Sequence, residues 1–140
     1  MIIKVKKLDK DARVPEFAHS DDAGMDLFSI ENKTLKAGEK HIFKTGIAME
    51  IPKDHVGLIW DKSGLAAKQG IKTMAGVVDA GYRGEIMVTL LNTSKTDYEI
   101  KEGDKIAQML LQKVEHPQIF ETDKLSKSQR ESKAFGSTGR

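Results

Sequence analysis

The segment GVVDAGYRGEI, residues 76–86, places a carboxylate, a phenol ring and a guanidinium among three glycines. Asp79 has apolar neighbours and precedes a glycine turn, so we expect its carboxylate to be partly desolvated and fixed in orientation. Such a group is suited to act as a general base, and Tyr82 can offer a ring wall to a small molecule. The structural alternative is that Asp79 caps the turn while Tyr82 covers the core.

A second candidate is Ser63, in the segment KSGLAAKQG from Lys62 to Gly70. The small residues between a serine and a closing glycine predict one short helix with Ser63 at its N-cap. A helix N-terminus carries free N–H groups and partial positive charge, which attract an anion such as phosphate. The alternative is an ordinary N-cap without a ligand.

Two polar residues stand inside apolar stretches. Gln108 interrupts the run KIAQMLL, and a buried amide there needs a partner, either a neighbouring backbone group or a ligand. Asp26 lies between Met25 and Leu27, where it either bonds to backbone or supports a metal, because hard cations prefer oxygen ligands.

Composition narrows the function classes. The chain has 140 residues, a net charge of +2 and no cysteine, so we expect no thiolate chemistry and no nucleic-acid partner. The four histidines lack metal-type spacing, and no phosphate loop, Rossmann turn or serine elbow occurs. No signal peptide or apolar run of about 18 residues is visible, so we expect a cytoplasmic protein without a membrane partner.

Short apolar stretches, separated by turn signals, predict an all-β sandwich or barrel with one short helix. The tail from residue 126 is polar and contains one aromatic residue, Phe135. We therefore expect a β domain over 1–125 and an arm over 126–140. This arm is either a disordered tail or, through its FGSTG segment, a lid that orders on a ligand with phosphate groups.

Five stretches together resemble the trimeric dUTPases, the deoxyuridine triphosphate nucleotidohydrolases. They are DAGMDLFS (22–29), DKSGLAAKQGI (61–71), GVVDAGYRGEI (76–86), GDKIAQMLL (103–111) and RESKAFGSTG (130–139). The resemblance implies a distorted jelly-roll subunit and a homotrimer with its active sites at the subunit interfaces. The implied reaction is hydrolysis of dUTP to dUMP and pyrophosphate, with Mg²⁺ on the triphosphate. The implied role of this reaction is to keep uracil out of DNA and to supply dUMP for thymidylate synthesis.

The resemblance also implies residue roles. Asp79 corresponds to the catalytic base, and Tyr82 to the ring under deoxyribose. Asp26 would support Mg²⁺ indirectly, through water, while the phosphates hold the ion. The implied substrate-binding residues are Lys62, Ser63, Gly64, Gly76, Val78, Asp79, Tyr82, Gln108, Arg130, Phe135, Gly136, Ser137 and Thr138.

The sequence departs from the family pattern at two places. Asp61-Lys62 replaces the usual Pro-Arg, and Lys133-Ala134 replaces Gly-Gly before the phenylalanine. A lysine keeps the charge of arginine but loses its planar fork, so phosphate contact there is expected to differ. Two other functions remain open at the level of sequence: a dCTP deaminase of the same fold, and a dUTP-sensing regulatory module that does not hydrolyse its ligand.

Overall fold

The structure is a computed structural model that describes residues 1–128. Within this range every strand pair is antiparallel, and one short helix occurs. The strands are β1 (Lys4–Lys7), β2 (Met25–Phe28), β3 (Lys33–Leu35), β4 (Lys40–Glu50), β5 (His55–Trp60), β6 (Ile71–Met74), β7 (Val77–Asp79), β8 (Glu85–Asn92), β9 (Tyr98–Ile100) and β10 (Lys105–Lys113). The all-β prediction is confirmed.

The strands form two four-stranded sheets and one small sheet. The first sheet has the order β1-β4-β8-β6, the second has the order β2-β10-β5-β7, and β3 pairs with β9. Two antiparallel sheets of four strands are the arrangement of a jelly roll. In the second sheet β7 is an edge strand, so one side of its backbone is not paired with another described strand.

The core follows from alternating side chains. Along β8 Ile86, Val88 and Leu90 are buried while Met87 is exposed, which is the period of two expected of a half-buried strand. The same buried cluster takes further side chains from β2, β3, β4, β5, β6, β9 and β10, so the sheets share one core. Ile59 of β5 and Ile86 of β8 belong to this core and also line the candidate site, and Val78 of β7 packs against the core.

Several short connections carry the chain between the two large sheets, and two of them adjoin β6. The first leaves β5 at Trp60, forms a π-helical turn over Leu65–Gln69 and enters β6. The second consists of Ala75 and Gly76, which link β6 of the first sheet to β7 of the second. Both connections contain predicted site residues, so the crossings between sheets set the geometry of the site.

The end of the described chain differs from the β domain. No strand follows β10 within the described residues, and Ile119, Phe120 and Leu125 are exposed by 94%, 79% and 88%. The proposed boundary between domain and arm at residue 125 stays a prediction. In residues 1–128 no helix has the length and apolar character needed to cross a bilayer.

Candidate active site

A cavity of about 290 Å³ opens beside β7 and β8. Four of the predicted site residues line it, namely Gly76, Val78, Asp79 and Tyr82. Much of the remaining wall is aliphatic and includes Met74 and Met87. The structure thus brings together the residues of the segment 76–86 that the sequence singled out.

Gly76 is required by the backbone at the rear of this cavity. Its φ is 118°, and a Cβ there would lie 2.6 Å from the carbonyl oxygen of Ile59. Its own carbonyl accepts a hydrogen bond from the Ile59 N–H at 2.8 Å. A side chain at position 76 would therefore push β7 away from β5 and change the cavity.

Asp79 and Tyr82 are joined by a tight turn. The Tyr82 N–H donates to the Asp79 carbonyl at 3.0 Å, and the Tyr82 hydroxyl donates to the Glu85 carbonyl at 3.1 Å. The tyrosine ring lies against Gly84, where a Cβ would come within 2.6 Å of Cζ. The ring orientation is therefore fixed, although Tyr82 is 44% exposed.

The carboxylate of Asp79 is exposed and has no hydrogen-bond or ion-pair partner among residues 1–128. The turn that carries it is held instead by Arg83, whose Nη1 donates to the carbonyls of Ala80 at 2.6 Å and Tyr82 at 2.8 Å. The expectation of a partly desolvated carboxylate fixed in orientation is therefore wrong for the described residues, and the carboxylate does not cap the turn either. It is free to accept a hydrogen bond from a ligand.

A separate charged cluster surrounds Asp26, which is 2% exposed. Lys62 Nζ lies 2.6 Å from Oδ1, and Lys105 Nζ lies 2.7 Å from Oδ2. Burial raises the pKa of Asp26, but the two ammonium groups outweigh it and hold the pKa below its ordinary value. Asp26 in turn raises the pKa of Lys105.

This arrangement tests the expected metal role of Asp26. Both of its oxygens already face ammonium groups, so direct coordination of a cation does not fit the geometry. The described residues contain no group of three or more histidine, aspartate or glutamate side chains placed to hold a metal. That the phosphates of a ligand hold the magnesium ion stays a prediction.

The segment around Ser63 corrects the predicted helix cap. The π-helical turn covers Leu65–Gln69, and in the described structure no side chain caps it. The prediction of Ser63 as the N-cap is wrong, because Ser63 and Gly64 are already helical and the Lys62 carbonyl before them accepts a hydrogen bond from the Ala66 N–H. Gly70 ends the turn in the left-handed conformation, with a φ of 67°, as the sequence predicted.

Gln108 has a backbone partner. Its Nε2 donates to the Asp61 carbonyl at 2.9 Å, which settles the partner of the amide nitrogen. In the sheet Gln108 pairs with Asp26 on one side and with Trp60 on the other. Gln108 thus lies between the Asp26 cluster and the start of the connection that carries Ser63 and Gly64, both of which are exposed.

The predicted residues therefore fall into two groups. The cavity lining contains the four predicted residues of the segment 76–86 but neither Lys62 nor Gln108. Arg130 and the segment 135–138, that is Phe135, Gly136, Ser137 and Thr138, lie outside the described residues.

Sequence reasoning missed Lys105 and Asp61. The only sequence signal for Lys105 was its position at the start of the stretch that contains Gln108. For Asp61 the only signal was its departure from the proline that the family usually has at this position.

These features define an all-β protein with a small cavity beside β7 and β8 and a separate charged cluster around Asp26. The dUTPase family model matches residues 10–139. The chain therefore belongs to the dUTPase family.

Similar proteins agree with this assignment. The deoxyuridine 5'-triphosphate nucleotidohydrolase of Clostridium tetani is 43% identical over 140 residues, covering 99% of this chain and 97% of that protein. The protein of the same name from Clostridium acetobutylicum is 44% identical over 139 residues, with coverages of 98% and 96%.

Solved structures give the same result. The Staphylococcus bacteriophage 80alpha dUTPase with dUPNHPP has a TM-score of 0.94 at 31% identity, and the match covers 99% of each chain. A mutant dUTPase from phage phi11 of S. aureus, described with a structural Mg(II) ion, has a TM-score of 0.85 at 29% identity. That match covers 91% of this chain and 100% of the other.

Proposed function

We propose that the protein hydrolyses dUTP to dUMP and pyrophosphate in the cavity beside β7. The observation that carries this proposal is the free carboxylate of Asp79 beside the fixed ring of Tyr82, at the mouth of a small pocket in a chain of the dUTPase family. A nucleoside fits a pocket of this size. A carboxylate without a protein partner is suited to activate water at its edge.

The peptide groups of β7 would recognise the uracil ring. The edge strand β7 offers N–H and C=O groups that no described strand pairs, and Gly76 brings this backbone close to β5. Uracil presents two acceptors around one donor on its pairing edge, a pattern that peptide groups can match. Val78 lies on this strand and lines the pocket, where a thymine methyl would need additional space.

Tyr82 would lie under the deoxyribose and select against a 2′-hydroxyl. Its hydroxyl is bonded to the Glu85 carbonyl and its ring lies against Gly84, so the ring cannot easily yield to a larger sugar. A fixed wall rejects an added hydroxyl both by its bulk and by leaving that hydroxyl without a hydrogen-bond partner.

Asp79 would act as the general base. The carboxylate takes a proton from water, the water oxygen forms a bond to the α-phosphorus, and the bond from that phosphorus to the β-bridging oxygen breaks. Pyrophosphate leaves and dUMP remains. Such transfer depends on alignment and charge neutralisation, to which correctly oriented water and cationic side chains contribute.

The triphosphate would lie along Lys62, Ser63, Gly64 and Gln108. Because the cavity lining does not include Lys62 or Gln108, we propose that the phosphate residues of one subunit complete the cavity of another within a homotrimer. Exposed apolar residues near the site support association: Trp60, Val77 and Met87 are 53%, 70% and 45% exposed. The arm over 126–140, with Arg130 and Phe135–Thr138, would close over the substrate.

Magnesium would enter with the nucleotide, as the Mg²⁺ complex of dUTP. Bound to the phosphates, it would offset their negative charge. The Asp26 carboxylate would not coordinate the ion directly, because the ammonium groups of Lys62 and Lys105 lie against its two oxygens.

The test is hydrolysis of a nucleotide panel in the presence of Mg²⁺. We expect pyrophosphate from dUTP and at least about 100-fold slower release from dTTP, dCTP and UTP, as expected of a site that rejects each by an unpaired polar group or a clash. Formation of dUTP from dCTP would indicate a deaminase instead. Tight binding of dUTP without product would indicate a sensing module.

A further inference from the structure

We propose that Asp61 is a positioning residue that fixes the phosphate-binding segment Lys62-Ser63-Gly64 in its working orientation. The inference rests on the proposed dUTP hydrolysis and concerns a residue that would not itself touch the nucleotide. It assigns a role to the aspartate that stands where the family pattern usually has proline.

The side chain of Asp61 makes an unusually complete set of bonds. Oδ1 accepts from the Thr73 N–H at 2.7 Å and from the Thr73 hydroxyl at 2.6 Å, and Oδ2 accepts from Lys72 Nζ at 2.8 Å. Thr73 is 8% exposed, so the carboxylate is bonded to a buried part of β6. Bonds to a charged acceptor are among the stronger ones in proteins.

The backbone of the same residue is bonded to the other large sheet. The Asp61 carbonyl accepts from Gln108 Nε2 at 2.9 Å, and Gln108 belongs to β10. Asp61 therefore connects the edge strand β6 of the first sheet with β10 of the second sheet, at the point where the chain leaves β5.

The segment that follows depends on such anchors. Ser63 and Gly64 are exposed, and a Cβ at Gly64 would meet nothing within 4 Å, so packing does not hold them. Lys62 is held by Asp26 at 2.6 Å, and its carbonyl accepts from the Ala66 N–H at 2.9 Å. Asp61, two residues before Ser63, anchors the chain just ahead of this exposed pair.

The test compares ligands that differ in phosphate content. For Asp61→Ala we expect KM for dUTP to rise by about tenfold or more, the loss expected when a bond to a charged group is removed. Affinity for the imido analogue dUpNHpp should fall in parallel, while affinity for deoxyuridine should change less than about twofold, since the pocket beside β7 remains intact.

A second variant covers the case in which Asp61→Ala does not fold. Thr73→Val keeps the backbone N–H but removes the hydroxyl that donates to Oδ1. We expect a smaller loss, confined again to ligands with a triphosphate. The matched control is Thr34→Val, because Thr34 is an exposed threonine of β3 whose side chain makes no hydrogen bond among the described residues.

The outcomes separate the two proposals. If both site variants bind dUpNHpp as the parent does, or lose deoxyuridine and dUpNHpp equally, Asp61 does not position the phosphate segment. If the parent itself fails to hydrolyse dUTP, the proposed function fails, whereas selective loss of dUpNHpp binding in the variants still supports the role of Asp61.

Discussion

The ammonium of Lys62 lies 2.6 Å from Oδ1 of Asp26, a carboxylate that is 2% exposed. The lysine side chain itself is 28% exposed, so this ion pair joins a buried anion to a cation that still reaches the surface. Lys105 approaches the second oxygen at 2.7 Å. Two cations around one anion leave one net positive charge beside the segment proposed to bind phosphate.

Replacing Asp26 with asparagine should destabilise the protein, because two lysines then lose their shared counter-ion. Asparagine keeps the size of the side chain, so the loss reports on charge. We expect the free energy of unfolding to fall by about 1–3 kcal/mol. The measurement is urea unfolding at fixed protein concentration, followed by the fluorescence of Trp60, the single tryptophan of the chain.

The control for this prediction is Lys4→Met. Lys4 and Glu50 form an exposed pair at 3.3 Å, with side chains 75% and 48% exposed. Such pairs contribute about 0–1 kcal/mol, so this variant should unfold nearly as the parent does. Equal losses in the two variants would show that burial of Asp26 adds nothing to the strength of its ion pairs.

Acid should weaken the contribution of Asp61 to stability. Burial raises its pKa, but hydrogen bonds from Lys72 and Thr73 outweigh burial and hold the pKa below its ordinary value. A lowered folded pKa means that the stabilisation is complete above the unfolded value of about 3.9 and is lost as the pH falls through the folded value. The stability advantage of the parent over Asp61→Asn should therefore be constant near neutral pH and shrink below about pH 4.

The measurement for Asp61 is a series of urea unfolding curves for parent and variant between neutral pH and about pH 3, with the difference in free energy plotted against pH. An advantage that grew toward acid would have the wrong sign for a carboxylate with a lowered pKa. The difference between the two proteins isolates Asp61 from the other carboxylates, Asp26 included, which titrate in both.

Asp79→Asn should abolish most turnover while leaving the nucleotide bound. The exposed carboxylate has no partner in the described structure, so asparagine should fit there without strain. Loss of a general base lowers the rate by about 10²–10⁴-fold. Pyrophosphate release measures the rate, and displacement of dUpNHpp measures binding. The matched control is Asp21→Asn, because Asp21 is also exposed. Turnover at the parent rate by Asp79→Asn would show that Asp79 is not the general base.

The sequence predicted those parts of the fold in which periodicity is long enough to read. The stretch EIMVTLLN coincides with β8 because four buried positions alternate with more exposed ones. The strands β3 and β9 have three residues each, too few to display a period, and they gave no signal. The short helix was located correctly, but Ser63 is part of it and does not cap it.

The site was predictable to different degrees. The segment 76–86 could be identified because a carboxylate, a ring and several glycines occur within a few residues. Lys62 and Lys105, the partners of Asp26, and Gln108, the partner of the Asp61 carbonyl, are far away in sequence, and only the folded chain places them together. For the same reason the sequence left the amide of Gln108 open between backbone and ligand.

Removing the residues after Lys124 should leave assembly intact and collapse turnover. Among the described residues that this truncation removes, 125–128, all are exposed, so their loss removes little packed surface. The proposed lid would be lost with Arg130 and Phe135. We expect a decrease of about 10²-fold or more in kcat/KM for dUTP, since closure excludes water and completes the site. Light scattering measures assembly, and full activity in an assembled truncated protein would show that residues 126–140 do not serve as a lid.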